Sequence, residues 1–182
     1  MEKKEEAVLG PFFNSSKHWH FDELLKRIKI SRAQLAQWLK KFEKEGLIKR
    51  VKQKKRMPYY VQVFENPDFQ NKKKLFALKQ LTNSGLLNHL SILPNVKVAV
   101  VFGSFTRYDW HEKSDIDVFI YGDDSQFKQG KYELKLNRDI QVHTVKNKEG
   151  LEKINKLLPY IITGSFIKGS IEDLEIEIHA RV

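Results

Sequence analysis

The sequence has no cysteine among its 182 residues. This absence excludes disulfide bonds, thiolate zinc sites and a cysteine nucleophile, and it fits a reducing compartment. The sequence also has no long apolar run: the longest uninterrupted one is Val98–Phe102, and the first ten residues lack the apolar segment of a signal peptide. We therefore expect a cytoplasmic protein without a membrane span.

Positive charge is concentrated in one half of the chain, whose net charge is +10. Residues 1–80 contain 20 Lys and Arg against 9 Asp and Glu, a net of +11, whereas residues 81–182 contain 13 against 14, a net of −1. This asymmetry indicates two modules, of which the first faces a polyanion. A lysine-rich solvated surface is the alternative interpretation.

Two short amphipathic helices are predicted in the basic half. Apolar residues recur at helical spacing in residues 21–28 and again in residues 35–42. Ser31 and Gln34 have the spacing of a capping box at the start of the second helix, and Gly46 is placed to end it. Two helices joined by a tight turn, the second of them capped, are typical of a helix-turn-helix.

A basic hairpin is predicted after the capped helix, with strands at residues 48–51 and 59–63 and a turn between them. Residues 49–56 contain six basic side chains and no acid. The arrangement resembles a winged helix-turn-helix, which implies binding of double-stranded DNA or another nucleic acid, with the helix in the major groove and the hairpin on phosphates. The residues predicted to bind are Arg32, Gln34, Gln37, Lys41, Lys49, Arg50, Lys52, Lys54, Lys55 and Arg56. A plain surface helix, or a dimer or partner module, is the alternative.

The polar segment 65–74, which contains Pro67, predicts a linker, so we expect a first domain at residues 1–65 and a second at residues 66–182. Beyond it the pattern predicts an α+β domain. The expected strands are residues 98–102, 116–121, 140–145 and 166–168, and the expected helices include residues 75–81, 86–90, 127–136 and 151–162.

A glycine-serine pair and a pair of aspartates carry the chemistry expected of the second domain. Gly103-Ser104 follows a buried strand, where the small glycine lets the backbone approach a phosphate chain and the serine hydroxyl donates to it. Asp115 and Asp117 lie two residues apart on a strand, so their carboxylates share one face. Two adjacent carboxylates repel unless a cation lies between them, and oxygen ligands favour Mg²⁺.

The stretch VVFGSFTRYDWHEKSDIDVFIYG resembles the minimal nucleotidyltransferases of the DNA polymerase β-like superfamily. The resemblance covers roughly residues 70–170 and implies a mixed sheet with flanking helices. It further implies Mg²⁺-dependent transfer of a nucleoside monophosphate from an NTP, with ATP expected, to a protein, nucleic-acid or small-molecule acceptor. The implied nucleotide-binding residues are Gly103, Ser104, Arg107 and Ser114, and the implied catalytic metal ligands are Asp115 and Asp117. Tyr108 departs from the family pattern, in which glycine is frequent at that position.

Active members of that superfamily carry a third carboxylate on a later strand, and alignment of the apolar flanks places Gln141 there. By alternation Asp139, Gln141 and His143 share one polar face of the predicted strand. Asp139 lies about 6–7 Å from Gln141 along the strand. It is the candidate third catalytic acid if the strand is shifted or bulged; otherwise it is a solvent-facing residue at the strand end.

Two hypotheses of function follow. The first is a nucleotidyltransferase that carries a DNA-binding winged helix. The second is a DNA-binding transcriptional regulator or antitoxin whose NTP-binding domain is degenerate and not catalytic. The resemblance also implies a toxin-type protein partner.

The acidic segment 172–178 alternates with period two. This pattern indicates an exposed edge strand or an oligomer contact, and hence a homodimer.

Overall fold

The structure is a computed structural model that describes residues 3–174. It divides into two compact units, Met1–Phe76 and Ala77–Val182. No helix within the described range is both long and apolar enough to cross a membrane. The first unit contains α1 (Lys3–Asn14), β1 (Trp19–His20), α2 (Phe21–Arg27), α3 (Arg32–Lys44), β2 (Ile48–Val51) and β3 (Tyr59–Gln62).

The helix pair and the hairpin predicted in the first unit are present. Ser31 Oγ accepts from the Gln34 amide at 3.2 Å and Gln34 Oε1 accepts from the Ser31 amide at 3.3 Å, which is the predicted capping box. Gly46 follows the end of α3 with φ of +69°, a conformation that glycine adopts without strain. Strands β2 and β3 form an antiparallel hairpin, and β1 adds to the outer side of β3. The identification of this unit as a winged helix-turn-helix stays a prediction.

The segment predicted as a linker is helical instead. Helix α4 spans Pro67–Ser84, and the division between the two units falls within it. Asn66 caps this helix, since its Oδ1 accepts from the Asp68 amide at 2.8 Å, and Pro67 fits the first turn, where its missing N–H costs nothing. Phe69 is fully buried and packs against Phe13, with 5.2 Å between ring centroids. The polar composition of residues 65–74 predicted an exposed linker and gave no sign that Phe69 would be buried.

The second unit is an α+β fold around a four-stranded mixed sheet of order β6-β5-β4-β7. Strand β5 runs antiparallel to β4 and parallel to β6, and β7 lies antiparallel at the far edge. Its elements are α5 (Leu86–Ser91), β4 (Val96–Phe102), α6 (Ser104–Arg107), β5 (Ile116–Gly122), α7 (Gln129–Leu136), β6 (Ile140–Val145), α8 (Lys148–Lys153), α9 (Leu158–Ile162), β7 (Ser165–Lys168) and a short 3₁₀ turn at Glu172–Leu174. The predicted mixed sheet and all four predicted strands are confirmed.

Helices α8 and α9 replace the single helix predicted over residues 151–162. The first ends at Lys153 and the second begins at Leu158. Proline has no N–H and clashes with the preceding turn inside a helix, so Pro159 requires a new helix start just before it. Leu151 and Ile161 still pack on one face of the sheet together with Phe119. Of the acidic segment 172–178, residues 172–174 form the 3₁₀ turn, and the remainder lies outside the described residues.

Candidate functional site

The predicted glycine-serine turn and the second aspartate meet at the end of β4. Phe102 pairs with Asp117 across the β4–β5 ladder, so that the next residue, Gly103, lies beside the Asp117 carboxylate. Gly103 has φ of +77° and ψ of −156°, a backbone conformation open essentially to glycine alone. A Cβ atom at this position would overlap Asp117 Oδ2 and lie 2.9 Å from its Cγ. Glycine is therefore required at position 103 for two reasons: the backbone conformation is strained for any other residue, and a side chain would collide with the Asp117 carboxylate.

Asp117 is a half-buried carboxylate with ionisable groups around it. Burial raises its pKa above the ordinary value, and the charge of Asp115 acts in the same direction, while His143 and Arg107 lower it. His143 Nε2 lies 3.9 Å from Asp117 Oδ1. Because burial disfavours the charged carboxylate, a cation bound here would be stabilising.

Asp115 is exposed and lies immediately before β5. It lines a surface groove of about 840 Å³ together with Ser114, Arg138 and Asp139. Strands β5 and β6 pair in parallel without a register shift from Ile116 to Tyr121. The structure therefore brings Asp139 next to Asp115.

The alignment of the apolar flanks places Gln141, and not an acid, at the third-acid position. Gln141 pairs with Asp117 in the β5–β6 ladder. The shift or bulge that would move Asp139 into that position is absent from this ladder, and the Asp139 carbonyl accepts from the Ile116 amide at 2.9 Å. Asp139 is exposed and lies immediately before β6, and its catalytic role stays a prediction.

The other predicted nucleotide-binding residues lie in or next to the turn of α6. Ser104 begins this helix, and Thr106 Oγ1 closes the turn by donating to the Gly103 carbonyl at 3.0 Å. The Arg107 guanidinium lies 3.4 Å from Asp109 Oδ2 and also acts on the Asp117 carboxylate through its charge. Tyr108 has φ of +70°, which gives a physical reason for the glycine that the family frequently carries there.

The loop between α6 and β5 is held by Arg138, a residue that sequence analysis did not single out. Its Nη1 donates to the carbonyls of His111, Glu112 and Ser114 at 2.7, 3.0 and 3.0 Å. The guanidinium also lies over an aromatic ring, 5.1 Å from the centroid of Trp110. Burial lowers the pKa of Arg138 below its ordinary value, without making an arginine neutral at physiological pH. One side chain, that of Arg138, therefore holds three carbonyls of the loop that leads into Asp115.

Ser114, predicted to bind nucleotide, has its hydroxyl engaged in this loop. Its Oγ accepts from the His111 amide at 2.9 Å, and the residue is 9% exposed. This contact does not use the hydroxyl hydrogen, because an oxygen that accepts one hydrogen bond can still donate another. The nucleotide-binding role of Ser114 stays a prediction.

Within the described residues, no three His, Asp or Glu side chains converge closely enough to hold a metal ion by themselves. This fits a site in which the protein supplies only part of the ligand set. Mg²⁺ is commonly held by one or two carboxylates, with substrate phosphates and water completing its octahedron. Asp117 fits that role, since it is partly accessible and lies beside the glycine turn. Asp115, two residues before it, is exposed and acts on the Asp117 carboxylate through its charge.

The predicted nucleic-acid residues of the first unit divide into two groups. On α3, Arg32 lies 2.6 Å from Asp22, Lys41 lies 3.8 Å from Glu45, and the Gln34 side chain caps its own helix, as described above. Gln37 is exposed. The hairpin residues are all exposed, namely Lys49, Arg50, Lys52, Lys54, Lys55 and Arg56. The positive surface that the structure presents in this unit is therefore the hairpin more than the helix.

The similarity to known proteins lies in the second unit. Residues 85–171 match the family described as "Polymerase beta, Nucleotidyltransferase". No curated protein matches the chain. A solved structure described as "Crystal structure of the toxin-antitoxin with AMP-PNP" is similar to 58% of this chain and 77% of its own, with 18% identity and a TM-score of 0.34, too low to support an argument. The segment at residues 85–171 is thus similar to the nucleotidyltransferases of the polymerase β family, and the mixed sheet with its flanking helices fits such a domain.

Proposed function

We propose that the second unit is an Mg²⁺-dependent nucleotidyltransferase, which transfers a nucleoside monophosphate from an NTP, with ATP expected, to an acceptor hydroxyl. The observation that carries the proposal is the close approach of Gly103 to the Asp117 carboxylate at the end of β4. This contact supports the proposal because it brings a backbone turn without a side chain next to a carboxylate, and a cation bound to a phosphate chain would need both groups. The family match over residues 85–171 supports the same chemistry.

In the proposed reaction, the acceptor oxygen attacks the α-phosphorus, and the bond from that phosphorus to the bridging oxygen breaks. Pyrophosphate leaves with the electron pair, and the hydroxyl proton passes to a base. A bound Mg²⁺ would neutralise charge on the phosphate oxygens and the leaving group. Asp115 and Asp117 would hold it.

The chain's own residues then have separate tasks. Gly103, which has no side chain, leaves room for the Asp117 carboxylate beside the turn, and the Ser104 hydroxyl donates to a phosphate oxygen. Arg107, whose charge acts on the Asp117 carboxylate, is proposed to contact the triphosphate. Asp139 does not take the position opposite Asp117, because the strand shift that would bring it there is absent. We propose that it assists deprotonation of the acceptor from the groove that it shares with Asp115.

A second candidate function rests on Gln141. A neutral amide lies opposite Asp117, where active members of the superfamily carry a carboxylate. If Asp139 does not compensate, the domain binds NTP without transferring it, and the chain acts as a transcriptional regulator or antitoxin. A toxin-type protein partner and a homodimer belong to this candidate.

Incubation with α-labelled NTPs and Mg²⁺ separates the two candidates. Label on the protein, on added nucleic acid or on an added hydroxyl compound supports transfer. NTP bound in equilibrium dialysis without any transferred label supports the regulator instead. The acceptor classes are tested in separate reactions, so that the acceptor is identified by the same experiment.

We further propose that the first unit binds double-stranded DNA as a winged helix-turn-helix. Its element order supports this, with α2 and the capped α3 followed directly by the β2–β3 hairpin. The hairpin turn carries Lys52, Lys54, Lys55 and Arg56, all of them exposed. Exposed lysines and arginines bind phosphates independently of sequence and release counterions, which makes the affinity fall steeply with salt.

A gel-shift titration of the full chain between about 50 and 200 mM salt tests the DNA proposal. The double variant Lys54→Glu/Lys55→Glu should abolish binding. As a matched control, Lys148→Glu/Lys153→Glu makes the same charge change on α8 of the second unit and should bind like the wild type. Binding that is indifferent to the hairpin variant, or no binding at low salt, overturns the proposal.

A further inference from the structure

We propose that the imidazole of His143 joins the carboxylate of Asp117 as the two protein ligands of one cation, and that it adapts the site to a transition-metal dication in addition to Mg²⁺. Phosphate oxygens and water would supply the other ligands, since no three His, Asp or Glu side chains of the described residues converge on one ion. The inference rests on the proposed function, because it concerns the same site. It assigns a residue that has no role in the carboxylate scheme described above. It also names the class of cation that the site accepts.

The first argument is position. In β6, Gln141 and His143 are two residues apart, so their side chains lie on the same face of the sheet. Gln141 pairs with Asp117 in the β5–β6 ladder. The imidazole reaches back toward the same carboxylate, which leaves His143 Nε2 3.9 Å from Asp117 Oδ1.

The second argument is distance. Bonds from a dication to nitrogen and to carboxylate oxygen are each about 2.0 to 2.2 Å long. One ion can therefore contact both atoms across the observed gap, whereas the gap is too long for a direct hydrogen bond. His143 is half-buried, and its ring packs on Phe102 with 5.5 Å between centroids. This packing restricts the ring on the side of the carboxylate.

The third argument is ligand chemistry. With Gln141 in place of a carboxylate, the site has one negative charge fewer and one amide oxygen more. An imidazole nitrogen adds a strong ligand for transition-metal ions, whereas Mg²⁺ prefers oxygen. Exchanging a carboxylate for a nitrogen ligand should therefore weaken Mg²⁺ relative to a dication that accepts both donor types.

The test uses Mn²⁺ with inorganic triphosphate and the full-length protein. Triphosphate supplies the phosphate oxygens but contains no nitrogen, so a nitrogen coupling in the pulsed electron paramagnetic resonance spectrum of Mn²⁺ must come from the protein. Labelling the histidines with ¹⁵N identifies the imidazole. We expect the coupling in the wild type, its loss in His143→Gln, and its retention in the control His111→Gln. His111 is the histidine of the loop before Asp115.

Affinities give the second readout. His143→Gln should weaken Mn²⁺ binding by about tenfold or more, while Mg²⁺ binding, measured by competition, should change less than about twofold. Mn²⁺ that binds without a histidine coupling, or an equal loss for both cations, overturns the inference and leaves the proposed function standing. Failure of both cations to bind in the presence of triphosphate overturns both.

Discussion

A Cβ atom on Gly103 would overlap the carboxylate of Asp117, because the two residues meet where β4 ends beside β5. We predict that Gly103→Ala lowers the free energy of unfolding and abolishes NTP and cation binding, since either the turn or the carboxylate must move. The backbone part alone costs about 1–3 kcal/mol for a residue with a side chain in the conformation of Gly103. Urea unfolding and equilibrium dialysis measure the two effects.

Gly85→Ala is the matched control. Gly85 also has a positive φ, of +83°, but a Cβ atom there meets nothing within 4 Å. The control should lose stability through the backbone and keep its ligand binding. Equal loss of binding in both variants would contradict the role given to the contact between Gly103 and Asp117.

The role of Asp139 can be separated from that of Gln141. Asp139 lies next to Asp115, and Gln141 lies opposite Asp117. We predict that Asp139→Asn lowers the transfer rate about a hundredfold and leaves NTP affinity nearly unchanged, because the third acid assists deprotonation more than binding. The measurement is single-turnover label transfer beside equilibrium dialysis.

A second variant tests whether the lost rate is due to the lost carboxylate. Asp139→Asn/Gln141→Asp returns a carboxylate to the face of Asp117 and should recover most of the lost rate. If Asp139→Asn transfers label at the wild-type rate while Asp117→Asn does not, then Asp139 is a solvent-facing strand-end residue and its proposed role is wrong.

Local patterns predict the strands and the two carboxylates, but side-chain convergence across distant segments is harder to predict. The alternation around Ile116 and the spacing from Gly103 to Asp117 are local, and both appear in the structure. Arg138 contacts carbonyls more than twenty residues before it. A periodic pattern of apolar residues predicts local structure only, so it cannot predict such a contact. His143 was placed on the correct face of its strand, but its distance to Asp117 depends on the β5–β6 register.

Two predictions of secondary structure were wrong because a single residue determined the structure of a segment whose average composition indicated otherwise. The polar segment 65–74 predicted a linker, yet the buried ring of Phe69 anchors it as the start of α4. In the opposite case, the apolar residues of 151–162 predicted one helix, and Pro159 requires two. Tertiary burial overrides propensity in the first case, and backbone chemistry overrides periodicity in the second.

Arg138 should be a positioning residue for the loop that leads to Asp115. Arg138→Ala leaves the carbonyls of His111, Glu112 and Ser114 without this donor, which should lower the free energy of unfolding by roughly 1–3 kcal/mol. We also expect faster hydrogen exchange at the amides of this loop and a higher KM for NTP. Arg138→Lys should not restore the wild-type values, because the lysine side chain is shorter than that of arginine and its ammonium lacks the planar face that lies over the Trp110 ring.

The exposed Lys113, in the same loop, provides the control for Arg138. Lys113→Ala should leave stability and loop exchange at wild-type values. Loop exchange that is unchanged in Arg138→Ala would show that these hydrogen bonds do not hold the loop.

His89 makes the stability of the second unit depend on pH. Its Nε2 accepts from the Lys128 amide at 3.1 Å. Burial lowers the pKa of His89 from 6.5, with the charges of Lys128 and Lys131 acting in the same direction. Between the lowered value and 6.5 the unfolded chain binds more protons than the folded one, so stability rises with pH in that window and is lost as the pH falls below 6.5.

We therefore predict that His89→Gln flattens the pH dependence of unfolding between about pH 5 and pH 7, since the amide oxygen of glutamine accepts the same hydrogen bond without titrating. Urea unfolding at several pH values measures the slope. An unchanged slope in His89→Gln would assign the pH dependence to other groups.

The most direct test of the central claim is label transfer from α-labelled ATP with Mg²⁺ by the wild type, Asp117→Asn and the exposed control Asp173→Asn. We predict transfer by the wild type and by the control, and a loss of about a hundredfold or more in Asp117→Asn, with the fold intact by circular dichroism. Transfer that continues in Asp117→Asn, or a wild type that binds ATP and transfers no label to any acceptor class, would contradict the assignment of this domain as an active nucleotidyltransferase.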